Sequence, residues 1–271
     1  MKEKVSVFIL SGLPGSGKTY FAISKKIECL LDNNRRDSEV QVIHFDDRFY
    51  QPEWFEYGRK ELYLDGLFLT TDEIISVIKD CNKKAKYWHY DLEFTIIRWK
   101  EDRNKCLKND LGRREKDSQI TIKKAKFEEP DLEKIKEEIG VEVRLEEREI
   151  IEKNNKFENL SGNVKVHMKG KYLVSDSWIM SGTRRGYDYD WNSVYSIIDS
   201  EEPSEFDELY EFFETVCPQL TALDMRKIKK EFVTLREFEV NDYYSCTQEA
   251  EYICDIEAVM KFLEEKGYFE K

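Results

Sequence analysis

Residues 5–10, Val-Ser-Val-Phe-Ile-Leu, form a β-branched, mostly apolar run of strand length, and a glycine-rich turn follows it at once. Such a run predicts a strand buried in a parallel sheet. From Lys18 the spacing of Phe21, Ala22, Ile23, Ile27, Leu30 and Leu31 is helical and gives out at Asp32-Asn33-Asn34. Residues 40–45 read as a second short strand, after which Asp46-Asp47 falls where a parallel strand delivers polar groups to its carboxyl end. Strand, glycine turn, helix and strand make a βαβ unit. A second helix is expected over 72–84, with Ile74, Ile75, Val77 and Ile78 on its apolar side, and residues 94–99 are a further candidate for a buried strand. The pattern predicts an α/β fold with a mainly parallel sheet flanked by helices.

Beyond Pro130 the pattern changes. A charged helix over 131–139 ends at Gly140, and alternation then shows at Val141, Val143 and Leu145 and again at Val164, Val166 and Met168. Acidic, aromatic helices are expected around 205–216, 223–232 and 249–266. A chain of 271 residues can bury one large core or two modest ones. The expected organisation is an α/β domain over 1–139 and an accessory region over 140–271, a β-rich segment followed by acidic helices, α+β in character.

Charge sharpens this division. The formal net charge is −12, but residues 1–128 carry 25 basic and 22 acidic side chains, while the remainder carries 19 and 34. The acidity therefore belongs to the C-terminal part and does not exclude a polyanionic substrate for the N-terminal part. Residues 98–126 hold 11 basic against 5 acidic side chains, the one basic patch of the chain. Hydrophobic residues at 40% leave enough core material for a globular fold. The first apolar run is too short for a secretory segment, and nothing approaches the run of about 18 apolar residues that a membrane span needs, so the chain reads as cytoplasmic. The six cysteines contain no Cys-x-x-Cys pair and the three histidines are isolated, which argues for reduced, packed thiols rather than a zinc site.

Gly12-Leu13-Pro14-Gly15-Ser16-Gly17-Lys18-Thr19 fits the pattern G-x-x-x-x-G-K-[ST], placed between a predicted strand and a predicted helix as a P-loop requires. Gly12, Gly15, Ser16 and Gly17 let backbone N–H groups curl around phosphates at a helix N-terminus. Lys18 would reach the β- and γ-phosphates of ATP, and the Thr19 hydroxyl would ligate magnesium. The expected fold class is accordingly the P-loop NTPase type. A kinase must also deprotonate its accepting hydroxyl, and a carboxylate at the end of the second strand, Asp46 or Asp47, suits that role.

With Asp46-Asp47 and Arg48 standing about 30 residues after the loop, the N-terminal half resembles phage-type 5′-hydroxyl polynucleotide kinases. The resemblance implies that Asp46 is the general base and that Asp47 and Arg48 contact the substrate. Arg48 stands two positions after Asp46, where that family's arginine stands three after its base. The family also places an arginine lid over the ATP phosphates, a role that falls to Arg113 and Arg114, with Arg103 as another candidate. The family's Asp-Thr-Asn segment has no counterpart here, nor is there an Asp-x-Asp-Gly-Thr phosphatase motif.

These residues imply transfer of the γ-phosphate of ATP to a hydroxyl, with the 5′-hydroxyl of RNA or DNA favoured. A nucleoside, nucleotide or sugar kinase of the zeta-toxin type is a second reading. A third is an ATP-regulated module whose acidic C-terminal region engages a protein partner. Two aromatic clusters stand outside the motifs. Ser181 to Trp191 mixes Arg184 and Arg185 with Tyr187, Tyr189 and Trp191, a composition suited to stacking bases or to packing. Tyr87-Trp88-His89-Tyr90 reads as core.

Overall fold

A computed structural model describes residues 3–32, 39–45, 58–110, 116–150, 166–175, 178–179, 204–241 and 246–268. The chain divides into two compact units, Met1–Lys153 and Asn154–Lys271.

The first unit runs β1 (Glu3–Ser11), α1 (Lys18–Leu31), β2 (Val40–His44), β3 (Glu61–Asp65), α2 (Thr71–Trp88), β4 (Tyr90–Trp99), α3 (Arg103–Asp110), α4 (Lys116–Lys124), α5 (Leu132–Ile139) and β5 (Val143–Arg148). The five strands form one sheet in the order β2-β3-β1-β4-β5, every neighbouring pair parallel. Alternation along β1 explains the two layers around it. Val5, Val7 and Ile9 point to one face, where they pack with Ile74, Ile75, Val77 and Ile78 of α2 and Ile135 of α5. Leu10 and Phe8 point to the other, against Ala22 and Cys29 of α1, Cys106 of α3 and Ile122 of α4. Val5, Val7, Ile9 and Leu10 have no exposed surface, and burying an aliphatic side chain fully is worth about 1.5–3 kcal/mol.

Local signals set the helix ends. Thr70 caps α2 in a reciprocal box with Glu73, and Asp131 caps α5, which stops at Gly140 in the left-handed conformation. Two features depart from the sequence pattern. β3 holds only three apolar residues, Leu62, Tyr63 and Leu64, yet it lies between β2 and β1 in the interior of the sheet. The alternation at Val143 and Leu145 belongs to β5, which pairs with β4 along Phe94↔Val143 to Trp99↔Arg148. The division of the chain therefore falls between Lys153 and Asn154 rather than at 139/140.

The second unit is α+β: β6 (Val166–Lys169), β7 (Tyr172–Ser175), β8 (Trp178–Ile179), α6 (Ser204–Val216), α7 (Ala222–Phe232), β9 (Val233–Asn241), β10 (Cys246–Asp255) and α8 (Ile256–Glu265). β10 is its spine, pairing antiparallel with β9 along one edge and with β7 and β8 along the other. Leu173, Leu209, Phe212, Phe213, Ile228, Val259 and Leu263 form the core. The helix expected over 249–266 is in fact the end of a strand followed by α8. Tyr252, Ile253 and Cys254 are buried in succession, whereas helical spacing begins only at Ile256, Val259 and Phe262, after the Asp255 cap. Among the described residues no helix is long and apolar enough to cross a membrane.

One carboxylate ties this unit together. Asp224 Oδ2 accepts from Tyr268 Oη at 2.5 Å and from Thr221 Oγ1 at 2.7 Å, and Lys266 Nζ lies 3.3 Å from Oδ1. The Tyr268 hydrogen bond, then the Thr221 bond and Lys266, hold its carboxyl down at about 2, against an ordinary value of 3.8. A depressed folded-state value stabilises the fold above the ordinary value, and the contribution is lost as pH falls from about 3.8 towards 2. In thermal melts between these limits, wild type should lose more stability on acidification than Asp224→Asn. Parallel melting curves for the two would show that the carboxylate contributes nothing.

Candidate functional site

β1 ends at Ser11, whose hydroxyl donates to the Phe68 carbonyl at 2.7 Å, while the Gly12 N–H donates to Leu67 O at 3.2 Å. The entrance to the glycine-rich loop is thereby tied to the turn that follows β3. Within the loop, Gly15 and Gly17 take φ of 76° and 103°, in the left-handed region that glycine enters without a Cβ penalty. Gly17 is the N-cap of α1 and no side chain caps it, so the first N–H groups of the helix carry their partial positive charge into the loop. Within the loop the Ser16 N–H donates to Leu13 O at 3.2 Å. The Ser16 hydroxyl, 1% exposed, is buried there without a hydrogen-bond partner.

Two other elements brace the loop. A Cβ on Gly12 would lie 3.2 Å from Trp99 Cβ, which places the end of β4 directly against the loop. On another side α3 packs so closely that a Cβ on Gly15 would lie 2.4 Å from the Cys106 carbonyl, and Asn109 Nδ2 donates to Gly15 O at 2.9 Å. Burial pushes the Cys106 thiol up to about 11, so it serves as packing rather than as a nucleophile. Cys29, Cys81, Cys106, Cys217 and Cys254 are all buried and none forms a disulfide.

The loop's lysine is folded into it: Lys18, 7% exposed, donates from Nζ to Gly12 O at 2.7 Å and to Leu13 O at 3.1 Å. Beside it Thr19 Oγ1 donates to Asp65 Oδ2 at 2.7 Å. Asp65 ends β3, is 6% exposed, and stands in register with Leu10 of β1 on one side and His44 of β2 on the other. His44 Nδ1 lies 2.9 Å from the same Oδ2. Among the described residues no three of His, Cys, Asp or Glu gather as a metal centre. A hydroxyl beside one buried carboxylate is instead the sparse oxygen set that suits magnesium, which keeps most of its waters and takes the rest of its shell from phosphates.

Gly12, Gly15, Ser16 and Gly17 lie in the turn between β1 and α1, and Lys18 and Thr19 open α1. Asp46, Asp47, Arg48, Arg113 and Arg114 lie outside the described residues, as does 181–191. The Arg103 guanidinium donates to Glu101 Oε1, Ile122 O and Ala125 O, at 2.6, 2.5 and 2.9 Å, which joins α3 to the end of α4. The aromatic cluster at the end of α2 is not one core group, since Tyr87 is 79% exposed while Tyr90 is buried. A cavity of about 420 Å³ on the flank of α1, between Phe8, Phe21, Tyr63 and Arg148, includes none of Lys18, Thr19 and Asp65.

Three site residues escape the sequence reading: Asp65, His44 and Asn109. Leu62-Tyr63-Leu64-Asp65, an apolar run closed by an aspartate, is the signal that could have found the first. No local pattern distinguishes the other two.

Replacing Gly15 by alanine should destabilise the first unit by about 1–3 kcal/mol, since a left-handed non-glycine residue carries strain of that order and the new methyl meets the Cys106 carbonyl. Urea unfolding of Gly15→Ala measures this. An unchanged midpoint would mean that α3 is not seated on the loop.

No protein-family model and no curated protein matches the chain. Among solved structures, a fungal RNA kinase matches at 11% sequence identity with a TM-score of 0.41, over 60% of this chain and 87% of that one. A likeness of this size transfers no residue assignment.

Proposed function

We propose that the Met1–Lys153 unit is a P-loop kinase that transfers the γ-phosphate of ATP, with magnesium, to the 5′-hydroxyl of RNA or DNA. The observation that carries the proposal is the loop between β1 and α1, with Lys18 held inside it and Thr19 tied to Asp65. On nucleotide binding, Lys18 exchanges the Gly12 and Leu13 carbonyls for β- and γ-phosphate oxygens, and the loop N–H groups hold the same anion. Magnesium, when bound, neutralises charge on those oxygens. Thr19 would hold it through the hydroxyl oxygen and Asp65 through a water. Asp46, two residues beyond the end of β2, takes the proton of the acceptor hydroxyl as its oxygen bonds to the γ-phosphorus. The bond to the β-phosphate oxygen then breaks and ADP leaves. Arg113 and Arg114 stabilise the charge of the phosphoryl group in transit.

A nucleic-acid acceptor is favoured over a nucleoside by where the basic patch is attached. α3 and α4 carry Lys105, Lys108, Lys123 and Lys124, and α3 is the helix that binds Gly15 through Asn109. A positive segment braced against the loop suits an acceptor with a phosphate backbone.

Oligonucleotides with a 5′-hydroxyl, nucleosides and sugars, each offered with labelled ATP, test the reading. Label on the oligonucleotide alone is the expected result, and label on nucleosides or sugars would replace the proposed acceptor. Lys18→Ala should abolish transfer. Asp46→Asn should bind ATP yet lose roughly 10²–10⁴-fold in rate, with Asp47→Asn milder. If both aspartate variants stay active, the base lies elsewhere. Arg113→Ala and Arg114→Ala should each cost about tenfold to a thousandfold in kcat, and full kcat in the double variant would remove the lid from the mechanism.

A further inference from the structure

His44 has no part in that mechanism, yet it is the last residue of β2, in register with Asp65. Its Nδ1 and the Thr19 hydroxyl share a single acceptor, Asp65 Oδ2, at 2.9 and 2.7 Å. The side chain of Asp65 is 7% exposed and that of His44 42%. A carboxylate oxygen only accepts, which requires Nδ1 to carry the proton. The backbones of β2 and β3 already pair through this register, so His44 is not needed to hold the strands together.

We infer that His44 is a positioning residue for the metal end of the nucleotide site. Its Nδ1–H fixes the rotation of the Asp65 carboxylate, a torsion that is otherwise broad. The fixed Oδ2 accepts the hydrogen bond of the Thr19 hydroxyl. A hydroxyl has one proton and two lone pairs, so donation to Asp65 turns the Thr19 lone pairs away from Asp65, where they would be available to a cation. Without the imidazole, Asp65 can rotate, and the hydroxyl can follow it or turn its proton to the metal. Groups that orient the ligands of a metal in this way govern its affinity as strongly as many ligands do. The inference rests on the kinase reading of the loop.

The test uses the full chain and calorimetric binding of ATP over a magnesium series, with His44→Asn, His44→Gln and His44→Phe. The asparagine amide nitrogen is as many bonds from Cα as Nδ1, whereas the glutamine amide reaches the position of Nε2. His44→Asn should therefore keep the wild-type magnesium dependence. His44→Gln and His44→Phe should need about tenfold to a hundredfold more magnesium, with nucleotide affinity in the absence of metal unchanged. Wild-type magnesium dependence in the glutamine and phenylalanine variants overturns the inference, and so does an asparagine variant as weak as they are. Equal losses with and without magnesium would mark a merely structural role and overturn it too. Nitrogen NMR of the wild-type protein needs no variant: a His44 protonated on Nδ1 supports the inference, and one protonated only on Nε2 overturns it. If the wild-type chain binds nucleotide with no magnesium dependence, the kinase reading itself fails, an outcome separate from failure in the variants alone.

Discussion

β1 and β3 are hydrogen-bonded neighbours running parallel, and Leu10 is in register with Asp65. From their adjacent carboxyl ends the chain leaves to opposite faces, β1 to α1 and β3 to α2, whose apolar sides belong to different core clusters. A crevice opens where strands diverge in this way. The glycine loop and Asp65 meet there because the pairing leaves them no other place, and the Thr19–Asp65 hydrogen bond follows from it.

The loop is more constrained than its glycines suggest. Freedom of φ lets Gly15 and Gly17 curl the chain, and the surrounding elements then remove that freedom. Trp99 bounds one side, Cys106 and Asn109 of α3 another, and the turn after β3 holds Ser11 and Gly12. Donors aimed at an anion are useful in proportion to how little they must reorganise. Arg103 joins α3 to α4, so the helix that braces the loop is itself braced.

The second unit is held by other means. Its sheet is antiparallel and its core is built from Phe212, Phe213, Leu209 and the apolar side of α8. Asp224 gathers Thr221 at the start of α7 and Tyr268 beyond α8 into one hydrogen-bonded knot. Local contacts of this kind need no catalytic role, and the acidic composition of this part of the chain is compatible with solvation alone.

Much of the first unit was legible without coordinates. Alternation along residues 5–10, the helical spacing from Lys18 and the glycine pattern between them depend on neighbours close in sequence, as do the caps at Asp131 and Gly140. The same locality hid β3, whose three apolar residues carry too little periodicity; it showed β5 as a strand but not that β4 is its partner, and it read β10 as part of a helix. Asp65, His44 and Asn109 are ordinary polar residues in the sequence. Asp65 lies 46 positions from Thr19, His44 lies 21 from Asp65, and Asn109 lies 94 from Gly15. Their meaning comes from register and from helix packing, which are settled by long-range burial and pairing that no local pattern encodes. The sequence by itself determined a glycine-rich loop between a buried strand and a helix. Which carboxylate, imidazole and amide surround that loop was decided only by the tertiary structure.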